Sequence, residues 1–423
     1  MWLRLAALAA FAIASVASAR AQSPVVITLD DAFARVARSH PDLRLADGRQ
    51  RVLAAEADIA AQHPGLTAGA SLENAAGTGE LGGFGGAEIS LTLAGVLERG
   101  GKWDARRALA RSRIDALAVQ RETRRLDLLA EVARRYLAIT AVQHQRAVAL
   151  DDIEQRTRTV AAARQRLAAG ASPESVLLTA QAALARAELE RDRAEHQLAS
   201  ARRHLAALWG ERDPRFETVA GDPLALPAIA GFGELAALLD GTPELARFAD
   251  ERRIREARLQ LARSERSADV DWQFGVRRLQ ENGDTGLMAS VAIPLGSARR
   301  AGPGIRAAEA ELALLEVERE AEGLALYSTL ADAHGRYRTA QFEVQRLQDA
   351  VLPRLAKAER AAERAYRAGA IGYLEWAQLQ SERTASRRQQ LDAALDAQRA
   401  LIEIQRLTGQ PFVAAAPAQG TTP

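Results

Sequence analysis

The spacing of apolar residues changes period several times along the chain, and each change predicts an element. Residues 30 to about 62 carry a helical pattern that His40-Pro41 interrupts, because proline removes a backbone donor and restricts the residue before it. Alternation takes over at 66–74, with Leu66, Ala68, Ala70 and Leu72 on one face, and a glycine-rich loop follows from 77 to 86. A second alternating run spans 88–97, with Ile89, Leu91 and Leu93 on one side and Ser90, Thr92 and Ala94 on the other. Helical pattern then runs from about 103 to 169 without proline or glycine, on the order of 100 Å at 1.5 Å per residue. Gly170 closes that run. A returning helix over 173–208 places Val176, Ala180, Ala183, Ala187, Leu198, Ala201, Leu205 and Leu208 at steps of three, four or seven, apart from a gap after Ala187. Pro214, Pro223 and Pro227 mark a linker.

The plan then repeats. Residues 243–267 read as helix. Residues 269–279 read as a strand with Val270, Trp272, Phe274 and Val276 on one face and Asp271, Gln273 and Arg277 on the other. Glu281-Asn282-Gly283-Asp284 is a turn, and 286–294 is a fourth strand with Leu287, Ala289, Val291 and Ile293 on its apolar face. Helices over 305–368 and 373–407 follow, and a loose tail starts at Pro411. Landmarks recur in order at a spacing of roughly 200 residues: Pro41-Asp42-Leu43 and Pro243-Glu244-Leu245, Gly170 and Gly369, Leu208-Trp209-Gly210 and Leu407-Thr408-Gly409. The expected organisation is a repeat over 22–231, a second over 232–410, and a flexible tail over 411–423. The expected class is mainly α with a small β part. Two like halves suit a symmetric, tube-like assembly better than an enzyme with one cleft.

The strands are about 9–11 residues long, the length a tilted strand needs to cross a bilayer. The same alternation also reads as a small soluble sheet half-buried on helices. Four strands cannot close a barrel, and lipid does not tolerate open edges, so membrane-spanning strands would have to be pooled between chains. Three chains would supply twelve.

Composition narrows the setting. Residues 1–21 read as a secretory signal: Arg4 is the positive flank, 5–16 the apolar core, and Ala17-Ser18-Ala19 or Ala19-Arg20-Ala21 the cleavage site. No later run has the ~18 apolar residues of a membrane helix. The chain has no cysteine, which excludes disulfides and cysteine-based metal sites. There are 56 Lys+Arg and 54 Asp+Glu, and loss of Arg4 and Arg20 brings them into balance. The charges are mixed along helices, so nucleic-acid binding finds no support. Aromatics are only 4%, and an Ala-, Arg- and Glu-rich chain favours long, closely packed helices. No nucleophile motif or phosphate loop is present. The six histidines, His40, His63, His144, His196, His204 and His334, fall in no ligand spacing and read as exposed or packing residues. No enzyme, cofactor or metal site is expected.

At this point the residues resemble the TolC-like outer-membrane efflux family over about 27–409, and within it the heavy-metal, cobalt–zinc–cadmium (CzcC-like) branch. Leu97-Glu98-Arg99-Gly100-Gly101-Lys102, Leu205-Ala206-Ala207-Leu208-Trp209-Gly210 and the two hairpin tips at 166–176 and 366–375 carry the resemblance. It implies a homotrimer in the outer membrane of a Gram-negative cell. A twelve-stranded barrel would sit in lipid, and an α-helical barrel would project into the periplasm. Its tips would meet a periplasmic adaptor linked to an inner-membrane resistance-nodulation-division pump. The function implied is a passive duct for heavy-metal cations. A duct for drug efflux or type I secretion shares this architecture, and a soluble periplasmic coiled-coil scaffold is a third reading. The lipid-facing strand residues would be Ile89, Leu91, Leu93, Trp272, Phe274, Val276, Leu287, Val291 and Ile293. With no cysteine to carry a lipid, anchoring would rest on the barrel.

Gly170 and Gly369 suit a tight reversal between helices whether or not a partner binds there. Ser172-Pro173-Glu174 reads as a helix restart with Ser as N-cap. The functional reading adds exposed docking residues: Arg166, Ser172, Val176, Arg367, Ile371 and Leu374. Glu375, just inside the second tip, faces the periplasmic aperture by resemblance, and three copies would make an acidic ring. Val176 at the matching offset of the first tip leaves one such ring per trimer. An ordinary exposed glutamate fits the same position.

Overall fold

The computed structural model describes residues 26–79 and 82–412. The signal sequence expected at 1–21 and the tail beyond 412 lie outside the described residues. The first half runs β1 (Val26–Ile27), α1 (Leu29–Ser39), α2 (Pro41–Ala60), β2 (Thr67–Glu73), β3 (Glu88–Leu97), α3 (Lys102–Asp115), α4 (Leu117–Ala168), α5 (Glu174–Ala206) and β4 (Thr218–Val219). The second runs α6 (Phe232–Ala237), α7 (Pro243–Ser264), β5 (Val270–Leu279), β6 (Thr285–Ala292), α8 (Ser297–Arg346), α9 (Leu352–Arg367) and α10 (Tyr373–Thr408). The order helix, strand pair, long helix, tip and long helix occurs in both halves.

Local chemistry explains most of the boundaries. Thr28 and Asp31 form a reciprocal capping box at α1, the Thr28 hydroxyl accepting from the Asp31 N–H at 3.1 Å and the Asp31 carboxylate accepting from the Thr28 N–H at 3.0 Å. Pro41 opens α2, and the His40 ring Nδ1 accepts from the Asp42 N–H at 3.2 Å. In both halves a left-handed glycine, Gly101 or Gly296, passes the chain from strand to helix.

Four helical expectations need correction. The long run at 103–169 is two helices, with a break at Ala116. The helix placed from 305 starts at Ser297 and carries Pro303 inside it, where the exposed face tolerates a missing donor. The same run is broken near its far end by one π-helical turn, Leu347–Val351. Pro353 lies just beyond and cannot donate to the carbonyl four residues back, so the helix takes up an extra residue instead. Ser172 is not an N-cap: the cap residue of α5 is Pro173, with no side-chain bond. Ala194, buried between Ala187 and Ala201, fills the gap in the apolar seam of α5.

α4 and α5 form one antiparallel hairpin, and α10 packs on both α8 and α4, which joins the halves. The main core gathers Ile27, Leu29, Val36, Ile139, Leu205, Leu208 and Phe216 where β1 pairs in parallel with β4. Tyr136 fastens this layer, its hydroxyl donating to the Ile27 carbonyl (3.0 Å) and lying 2.6 Å from that of Ala220. The second core holds Leu235, Leu330, Tyr337, Leu401 and Ile404. A charged cluster ties them: Arg406 of α10 reaches Glu403 (2.8 Å), Glu244 (3.2 Å) and Asp127 (3.4 Å), so Glu244 of the repeated Pro-Glu-Leu landmark bonds to the C-terminal helix. Phe412 stands 5.9 Å from Phe33, which holds the start of the expected tail against the core.

Candidate functional site

Large apolar side chains lie exposed in several regions, among them the sheet and the hairpin tips. The sheet has four strands in the order β2-β3-β5-β6, all neighbours antiparallel. Residues directly opposite in such a ladder share a face. Leu72 faces Ile89, Ala70 faces Leu91, Leu91 faces Val276, and Val276 faces Leu287. Leu93, Phe274 and Ala289 make the next row, and Gly95, Trp272 and Val291 the row after it. Every residue expected on an apolar strand face that falls within the four strands therefore lies on one side of one sheet, with Leu66 and Ile293 just outside the strand ends. Among the described residues nothing covers that side: Leu287 is 89% exposed, Val291 65% and Phe274 57%. The opposite side carries Glu73, Glu88, Ser90, Thr92, Gln273 and Arg277. Arg277 donates to Glu88 (2.8 Å) and to the Ser90 hydroxyl (3.1 Å) across the strands.

Two glycines let β3 and β5 pair closely. A Cβ on Gly275 would meet the Leu91 carbonyl oxygen at 2.6 Å, and one on Gly95 would meet the Trp272 ring at 2.8 Å.

Beneath the sheet, the Leu97-Glu98-Arg99-Gly100-Gly101-Lys102 segment forms a joint. The Lys102 ammonium, nearly buried, donates to Asp269 at 2.7 Å, and the Arg99 N–H donates to the same carboxylate at 3.1 Å. Glu98 takes a two-pronged bond from Arg106, whose Nη2 lies 2.8 Å from Oε2. Asp269 and Arg106 complete this joint and escaped the sequence reading. The available signal was the i, i+8 pairing of Glu98 with Arg106 once the chain turns into α3.

At the other end, the two tips pack against each other. Val160, Ala163 and Ala180 of the first hairpin meet Ala362, Tyr366, Tyr373 and Trp376 of the second, and Val176 and Ile371 flank them half-buried. Gly170 and Gly369 turn the chain at φ 69° and 82°, backbone that a side chain resists. Arg166 crosses from one tip to the other. Its guanidinium lies 4.9 Å from the Tyr366 ring centre and donates to the carbonyls of Tyr366 (2.5 Å) and Ala171 (3.2 Å). Arg166, Ser172, Val176 and Ile371 are thus partly buried rather than exposed, because the tips are one packed unit. Arg367, Leu374 and Glu375 are exposed, Leu374 at 75%. Tyr366 and Trp376, the largest side chains of this unit, were not singled out in the sequence; Tyr373 and Trp376 at i, i+3 were the trace they left.

A family model described as outer membrane efflux protein matches residues 33–211. The cobalt-zinc-cadmium resistance protein CzcC of Cupriavidus metallidurans is 30% identical over 280 residues, 66% of this chain and 67% of that protein. Among solved structures, a membrane protein from Pseudomonas aeruginosa superposes at a TM-score of 0.73 with 20% identity, covering 90% of this chain and 93% of that one. CusC superposes at 0.74 with 19% identity, covering 92% and 93%. At such identities the likeness concerns the fold. With relatedness to CzcC across two thirds of its length, and a TolC-like fold over nearly all of this chain, the chain belongs to the outer membrane efflux protein family, in its heavy-metal, CzcC-like branch.

Proposed function

We propose that three copies of this chain form a passive duct through the outer membrane for heavy-metal cations, as the outer component of a tripartite resistance-nodulation-division system. The observation that carries this reading is the sheet, bare and apolar on one side, polar on the other, with edges at β2 and β6 that pair with no other strand among the described residues. Open edges are costly in lipid, and joining β6 of one copy to β2 of the next removes them all when the ring closes. Three copies give twelve strands, with Arg277, Glu88 and Ser90 toward the water-filled side. The cargo follows from CzcC, which is described as a cobalt-zinc-cadmium resistance protein. The exposed Leu374 and Arg367 offer the periplasmic adaptor a surface at the tips, and Glu375 contributes an acidic ring at the aperture.

The test is a purified chain in mild detergent, weighed by native mass spectrometry, and a deletion strain challenged with zinc, cadmium, cobalt, nickel and copper salts. A trimer, with sensitivity to one or more of these salts that the intact gene reverses, is the expected result. A monomer with its four strands open to water overturns the duct. A trimer without any metal phenotype overturns the cargo.

A further inference from the structure

The four strands of the sheet hold two basic residues, Arg277 and Arg278, next to each other in β5. Alternation sends them to opposite sides. Arg277 lies on the polar side, paired with Glu88 at 2.8 Å and bonded to the Ser90 hydroxyl at 3.1 Å. Arg278 falls on the bare side. Its neighbours in the ladder are Ile89 of β3 and Thr285 of β6, and the next bare row toward the helices holds Leu91, Val276 and Leu287. Arg278 is exposed, and among the described residues it has no ion-pair partner.

No group of the sheet supplies the missing anion. The acids within the four strands are Glu73, Glu88 and Asp271, and all three lie on the polar side. Arg278 is therefore the one charge on the bare side of the strands. A second copy does not supply a partner either. In the ring β6 joins β2 of the next copy, and the bare-side residues of that strand, Ala68, Ala70 and Leu72, are uncharged. An arginine on a face bathed in lipid is costly unless an anion meets its guanidinium. The place of Arg278 names the source of that anion. It stands in the last row of the bare side, just before the turn at 280–284, and the helices leave from the opposite end of the sheet. With the helices in the periplasm, this row lies at the outer leaflet, at the end of the apolar band and not within it. Headgroup phosphates lie at that level, and the guanidinium fork matches two phosphate oxygens.

We propose that Arg278 is the seat of a lipid-borne phosphate, that of a phosphorylated glycolipid of the outer leaflet, with one seat per copy around the ring. Val276 and Leu287, in the next row, lie against the acyl chains of the same lipid. The proposal rests on the duct in the outer membrane. It adds the chemical group that the wall of the duct recognises in the lipid around it.

The test is the full-length trimer in mild detergent, given either lipid A with its phosphates or the same glycolipid stripped of them, and weighed by native mass spectrometry. Wild type is expected to retain the phosphorylated form about tenfold better than the stripped form, the weight of one charge-assisted hydrogen bond. Arg278→Gln is expected to erase that preference, and Arg278→Lys, a point charge without the fork, to keep part of it. Thr285→Glu puts a carboxylate directly opposite Arg278 in the ladder and is expected to erase the preference with the arginine still in place. Inorganic phosphate in excess is expected to leave the lipid bound. Wild-type trimers that hold both lipids equally, trimers of Arg278→Gln or Thr285→Glu that keep the full preference, or release of the lipid by inorganic phosphate overturn the seat and leave the duct standing. A wild-type chain that is monomeric in the same detergent overturns the duct itself, and the seat with it.

Discussion

Single side chains carry sharply different weights in this molecule. Arg166 was expected on the surface of the tip, yet it binds the tips together through two carbonyls and one aromatic face. Arg166→Met keeps the stem and removes those bonds, while the Tyr366 carbonyl keeps the Gly369 N–H at 3.0 Å, so the cost is that of a net hydrogen bond, about 0.5–1.5 kcal/mol. Hydrogen exchange is expected to show faster opening around 366–376 with the sheet unchanged; unaltered protection there contradicts the role. Glu375→Ala is expected to change single-channel conductance or cation preference in reconstituted trimers, and identical traces would remove the acidic ring.

Glu403 gives a pH signature. Burial raises its carboxyl, but hydrogen bonding and charge from Arg406, with the charge of Arg134, outweigh this and hold it below the usual glutamate range. A carboxylate depressed in the folded state stabilises the fold at pH values above the ordinary range, and that contribution is lost as pH falls through the folded value. The melting temperature of Glu403→Gln is therefore expected to fall less than wild type between neutral pH and pH values below the carboxylate range. Parallel pH curves for the two proteins would contradict it.

The strand is the element on which the membrane reading turns. Leu287→Arg places a charge on the bare face of β6 and is expected to cost about 2–4 kcal/mol if that face meets mid-bilayer lipid. Loss of heat-modifiable trimers from the outer membrane is the readout; normal assembly would place Leu287 in water. Gly275→Val tests the other contact, since its Cβ has no room beside the Leu91 carbonyl. It is expected to separate β3 from β5 and abolish assembly. Helix ends were legible where the signal is local, as at Pro41 and Gly170. They were misplaced where neighbours decide, as at the start of α8, expected at 305 and found at Ser297, with Pro303 absorbed on its exposed side. The break at Ala116 has no local cause in the sequence.

At the scale of the whole molecule, the chain is a channel protein of the outer membrane whose two halves repeat one plan, packed through α10 on α4 and α3 on α7. What the sequence by itself determined was the period of each segment, the alternation of all four strands and the family, since these depend on residue type at fixed spacing. Which strands pair, and that four apolar faces fall on one side, was decided only in the tertiary structure, because register depends on contacts between residues far apart in the chain. The joint of Lys102 with Asp269, the clasp of Arg166 on Tyr366 and the lone charge of Arg278 on the bare side of the sheet belong to that second kind. Each pairs residues from different elements, or leaves them unpaired, and no periodicity within one segment records a partner that lies outside it.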